Sequence, residues 1–99
     1  MKQHHYRITV EHLAQPDGGA SPHAAPLVFE AGNHDDIIDI AQRLAGRSDL
    51  AAINTDALAV GLKLFGEVML EHRDHPLFSS LRPHFAQFMK TLKQGPAAA

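Results

Sequence analysis

The sequence predicts an α+β fold, a two-stranded antiparallel sheet packed with three helices, and three observations carry that expectation. Two early segments alternate apolar and polar residues. Later segments repeat apolar residues at helical spacing. Clusters of glycine, proline and small polar residues separate them. The 99 residues fit one domain, expected over 1–96, with a frayed tail at 97–99.

The first strand is expected over Tyr6 to Leu13, with Tyr6, Ile8 and Val10 on one face and Arg7, Thr9 and Glu11 on the other. Gln15 to Ala25 carries Pro16, Asp17, Gly18, Gly19, Ser21 and Pro22 and reads as a loop. The second strand is expected over Pro26 to Ala31, with Leu27 and Phe29 sharing a face, paired antiparallel to the first.

Asn33-His34-Asp35-Asp36 has the composition of a helix start, with Asn33 as cap and Asp36 reaching back to it. Ile37, Ile40, Ala41 and Leu44 continue at helical spacing, so a first helix is expected over His34 to Ala45, with Gly46 as a left-handed stop. Leu50 and Ile53 are expected to tuck inward from the polar connection that follows. Thr55 is the expected cap of a second helix running unbroken to about Arg73. Its stripe of Leu58, Leu62, Phe65, Val68 and Met69 is widened by Ala57, Val60, Leu64 and Leu70. A helix apolar on so many sides belongs in a core or at a subunit contact. Gly61 and Gly66 cost it about 1 kcal/mol each in helix propensity, which suggests that a backbone or a bulky ring comes close there. Pro76 ends it, Leu77, Phe78 and Leu81 form an apolar turn, and Pro83 opens a third helix striped by Phe85, Phe88, Met89 and Leu92. Gly95-Pro96 closes it.

Composition narrows the function classes. Nine basic against eleven acidic residues, net charge −2, is not the footprint of a nucleic-acid binder. Arg82, Lys90 and Lys93 around the third helix are an ordinary helix-end group. No cysteine means no disulfide, no thiolate nucleophile and no zinc-thiolate site. The longest apolar stretch, Ala57 to Leu70, contains Lys63 and Glu67 and is too short to span a bilayer. A cytoplasmic protein with no membrane partner is expected.

The eight histidines are the unusual number. Scattered over a surface, they would take up protons in mild acid without consequence. His4, His5 and His12 fall on both faces of the first strand and do not converge. Glu71-His72-Arg73-Asp74-His75 is the most metal-like run, but it lacks the His-Glu-x-x-His spacing and its reverse. Histidines at a helix C-terminus also serve the dipole. No metal and no cofactor are expected.

Lys63, Glu67 and Glu71 read as a solvated, paired ridge. Asp35, Asp36 and Asp39 read as a capping cluster. Ser79 and Ser80 lack the Gly-x-Ser-x-Gly elbow, and Gly18-Gly19 does not lead from a strand into a helix as a phosphate loop would. No catalytic residue is assigned.

Four segments resemble a known group: His5 to Val10; Phe29-Glu30-Ala31 leading to His34-Asp35-Asp36-Ile37; Leu58 to Leu70; and Leu81-Arg82-Pro83-His84-Phe85. They are similar to a small bacterial family of roughly hundred-residue proteins known only as a domain of unknown function. The resemblance implies a bacterial protein with no established activity, and supplies no site residue.

The function expected is a non-enzymatic interaction module, working through contacts with another protein or with a second copy as a homodimer. The alternative is a small enzyme or ligand-binding protein with a polar cleft built from Glu71, His72, His75 and His84.

Overall fold

The computed structural model describes residues 2–95. The chain divides into two compact units, Met1–Asp35 and Asp36–Ala99. The expected tail at 97–99 lies outside the described residues. The elements are a two-stranded antiparallel sheet and four helices, an α+β arrangement.

The first unit is a ribbon of β1 (His4–Val10) and β2 (Leu27–Asn33). Tyr6 faces Ala31, Ile8 faces Phe29 and Val10 faces Leu27. Directly opposed residues share a face, so these pairs line one side, and Arg7 with Glu30 and Thr9 with Val28 line the other. β1 stops at Val10 and not at Leu13 because the next pair would join Glu11 to Pro26, which has no N–H to give. The far end is tied more firmly. Asn33, 2% exposed, pairs with His4 in the ladder, and its side-chain oxygen accepts the Asp35 N–H at 2.9 Å. The Tyr6 hydroxyl donates to the Asp35 carbonyl at 2.9 Å.

The second unit opens with α1 (Ile37–Ala45), capped by Asp36, whose carboxylate accepts the Asp39 N–H at 3.0 Å. The expected start at His34 under an Asn33 cap is therefore corrected: Asn33 is held in the β ladder and has already turned its side chain to Asp35. Gly46 is not left-handed either, with φ at −81°, since the chain runs on through Arg47 into a 3-10 turn, Ser48–Leu50. Leu50 packs inward as expected, whereas Ile53 is exposed.

α2 (Thr55–Glu71) is unbroken, but its cap is Asn54, which accepts the Ala57 N–H at 3.1 Å; Thr55 is its first, buried, helical residue. It ends two residues before Arg73, with His72 closing it. The expected apolar turn is a short helix, α3 (Pro76–Ser79), and α4 (Arg82–Gln94) follows. Gly95, at φ 73°, ends α4 in the left-handed region that favours glycine.

Ala41, Leu44 and Ala59 form the buried core of this unit, with Ile40, Leu50, Leu58 and Leu92 against it. Arg47 fastens the end of α4, donating to the Leu92 carbonyl at 2.7 Å while two further bonds, 3.0 and 2.7 Å, grip the Asp49 carboxylate. The bonds to Asp49 raise the Arg47 guanidinium and hold the Asp49 carboxyl below the usual carboxylate range.

The expectation that α2 hides its apolar sides is only half met. Ala59 and Met69 are buried, while Phe65, Val68 and Leu70 are exposed. α1, nine residues against the seventeen of α2, is too short to cover its whole length. Among the described residues, no helix is long and apolar enough to cross a membrane.

Candidate functional site

The four residues expected to build a polar cleft occupy three successive pieces of chain. Glu71 is the last residue of α2, His72 its cap, His75 the cap of α3, and His84 lies in the first turn of α4. All four are exposed. His75 already has structural work: its Nδ1 accepts the Leu77 N–H at 3.1 Å, and its ring lies against Phe78, centroids 5.8 Å apart. Among the described residues, the one hydrogen bond between members of the four is main-chain, from the His75 N–H to the His72 carbonyl at 2.9 Å; no side-chain hydrogen bond or ion pair joins any of them to another. Ser79, nearby, donates to the Pro76 carbonyl at 3.0 Å.

Beside this corner the aromatic rings do converge. Phe65 meets Phe78 and Phe85 edge to face, centroids 6.0 and 5.7 Å apart, the arrangement favoured by ring quadrupoles. A Cβ at Gly66 would lie 3.5 Å from the Phe85 ring. The bulky group expected at that glycine is therefore Phe85. At Gly61 the expectation fails: a Cβ there would meet nothing within 4 Å. Glu67 also departs from the solvated ridge expected of it: it is 7% exposed, whereas Glu71 is open to water. Asp39, read as part of the capping cluster, also pairs with Arg43 one helical turn on, at 2.7 Å.

One cluster has no counterpart in the spacing of the sequence. His12 Nδ1 and Ser21 Oγ share a 2.6 Å hydrogen bond, the same oxygen accepts the His23 N–H at 3.0 Å, and the two imidazoles meet edge to face at 5.3 Å. The turn at Gln15–Gly19, closed by a 2.8 Å bond from the Gln15 N–H to the Gly19 carbonyl and steadied by the Gly19 N–H on the Asp17 carboxylate, brings them together. The signal was the Asp17-Gly18-Gly19 turn itself, which folds the loop back on its start. A hydroxyl against an imidazole could in principle act as nucleophile and base. Here the arrangement is open to water and works as a loop staple. Among the described residues, no group of three His, Cys, Asp or Glu is placed to hold a metal ion.

The remaining feature is apolar. On the ribbon, Val10 and Leu27 form a direct cross-strand pair and are 54% and 63% exposed; Phe29, one pair along on the same face, is also exposed. On the helical unit, Phe65, Val68, Leu77, Leu81 and Phe88 are exposed. Isolated exposed apolar side chains are ordinary. Adjacent cross-strand ones form a continuous patch, of the kind that marks a contact surface.

No curated protein matches the chain. A crystal structure of a protein of unknown function from Pectobacterium atrosepticum is similar at 40% identity and a TM-score of 0.78, over 94% of this chain and 99% of that one. The family described as a domain of unknown function with a solved structure, DUF3861, matches residues 4–94. Spanning all the described elements from β1 to α4, that match places the chain in the DUF3861 family, whose function is unknown.

Proposed function

We propose that this protein is a non-enzymatic interaction module of the cytoplasm that acts through protein contacts, including contacts with a second copy of itself. One observation carries the reading: the continuous exposed apolar patch of the ribbon, Val10 and Leu27 with Phe29 beside them. A two-stranded ribbon is marginal alone in water and gains most from having such a face covered.

Val10→Ser tests the proposal. The side chain is already mostly in water, so the substitution should shift the unfolding free energy by no more than about 0.5 kcal/mol. Association, measured by sedimentation and by capture of a partner from native cells, should weaken markedly. A variant that binds as well as the parent contradicts the reading.

The alternative, a ligand or substrate held by Glu71, His72, His75 and His84, has in its favour the aromatic group beside His75. Against it stand the exposure of all four side chains and the commitment of His75 Nδ1 to the α3 cap.

A further inference from the structure

We infer that the outer edge of β1 takes the β1 strand of a second copy, antiparallel, with the two-fold axis at Thr9. This rests on the interaction reading above and names its partner. Among the described residues the ribbon has two strands, and no third strand is bonded to either edge; unpaired edges are templates for another strand. Because Tyr6, Ile8 and Val10 lie on one face of β1 and His5, Arg7 and Thr9 on the other, only registers that oppose like faces are compatible, and charge then selects among them.

An axis at Arg7 sets Arg7 against the partner's Arg7, and like charges directly opposite are unfavourable. An axis at Tyr6 sets Arg7 against the partner's His5 and gives it no carboxylate. An axis at Ile8 leaves Arg7 facing the partner's Thr9. An axis at Thr9 opposes Arg7 to the partner's Glu11 twice over, Ile8 to the partner's Val10 twice over, and Thr9 to its own copy. Charged and β-branched pairs of these kinds are the favourable ones. Arg7, Thr9 and Glu11 are all exposed. Glu11 follows directly on β1 and is exposed, and its opposite number in the register of the existing ladder is Pro26, which has no N–H to give.

The other edge does not complement itself. Between Ala24 and Gly32 there is no basic residue, so Glu30 meets no opposite charge in any register of β2 with itself. Pairing through β1 yields a four-stranded sheet in the order β2, β1, β1 of the partner, β2 of the partner. It joins the two apolar faces into one and passes the three-strand mark at which sheets gain independent stability.

The chain has no cysteine, so single introduced thiols report unambiguously. Thr9→Cys places two thiols on the axis, with Cα atoms about 4.5–5.5 Å apart, inside disulfide range. Mild oxidation should convert it to covalent dimer. Arg7→Cys and Glu11→Cys should not cross-link alone, since each lies about 14 Å from its own copy, but a mixture of the two should. Independently, Glu11→Lys should weaken self-association between about twofold and thirtyfold, and adding Arg7→Glu together with Glu30→Lys, which keeps the 3.8 Å Arg7–Glu30 pair across the ladder in reversed sense, should restore it. A dimer by sedimentation whose Thr9→Cys variant stays reduced overturns the edge pairing and leaves the interaction reading standing. So does a dimer indifferent to both charge changes. A strict monomer at all concentrations overturns the edge pairing and removes self-association from the interaction reading as well.

Discussion

The two units of this chain solve the problem of apolar surface differently. In Asp36–Ala99, helices supply residues from three directions, and Ala41, Leu44 and Ala59 are enclosed by their own neighbours. In Met1–Asp35, the one described side chain removed from water is Asn33, a polar one, and the apolar pair Val10 and Leu27 stays more than half exposed. Helices bring stripes that can face one another within a short chain. A two-stranded ribbon has a face and nothing in its own strands to fold over it. The contrast teaches where each unit's stability comes from: packing in the second, hydrogen bonding at the strand end in the first.

The contrast can be broken most sharply at Leu44. Leu44→Ala should destabilise the protein by about 2–5 kcal/mol in chemical denaturation, the range for emptying a packed leucine site, while Leu27→Ala should change the isolated chain by about 0.5 kcal/mol or less. Equal losses would dissolve the distinction between the two units. Next comes Asn33→Ala, which deletes the acceptor of the Asp35 N–H. The bond is part-buried, so its loss should cost about 1 kcal/mol, the low end of the range for a donor stripped of its acceptor. Amide exchange should report the loss first at the Tyr6 end of the ribbon.

Smaller effects sharpen the picture within α2. Gly61→Ala, with open space around the new methyl, should stabilise by up to about 1 kcal/mol through helix propensity alone. Gly66→Ala should also be tolerated, because its methyl would touch the Phe85 ring at ordinary contact distance. A loss at Gly61 would reveal a neighbour that the isolated chain does not have.

The smallest effect expected is electrostatic. The Asp49 carboxyl is held below its ordinary range by the Arg47 hydrogen bonds, so the folded state binds that proton less readily than the unfolded chain. The contribution is complete above the ordinary carboxylate range and is lost as pH falls through the lowered value. Asp49→Asn should therefore flatten the acid limb of the stability curve slightly and leave neutral pH behaviour to the remaining hydrogen bonds. An unchanged acid limb would show the pair to be energetically silent.

Much of the architecture was legible because it depends on local patterns. Alternation at Tyr6, Ile8 and Val10 and the stripe from Leu58 to Met69 specify a strand and a helix wherever they occur. Boundaries were less legible because neighbouring groups compete for the same atoms. Asn33 has the chemistry of a cap, yet a ladder partner at His4 claims its backbone, and the cap passes to Asp36. Asn54 and Thr55 are both capping residues, and only the hydrogen bond to Ala57 separates them. The burial of Glu67 and the exposure of Val68 depend on where other elements end, which no pattern within α2 records. The site residues Glu71, His72, His75 and His84 were readable as a cluster in sequence, but what His75 does was not. Its ring nitrogen serves the backbone of the next turn. His12 and Ser21 leave no periodic trace, since eight loop residues lie between them, and the Asp17-Gly18-Gly19 turn says only that the loop folds back, not which side chains meet.

Sedimentation equilibrium of the intact chain across a hundredfold range of concentration bears most directly on whether the exposed apolar face of the ribbon is a contact surface between copies. The mass should rise to twice that of one chain, with Val10→Ser, which alters both the patch and the β1 seam, shifting the transition to higher concentration. A mass fixed at one chain throughout, unaltered by that substitution, would contradict such a role.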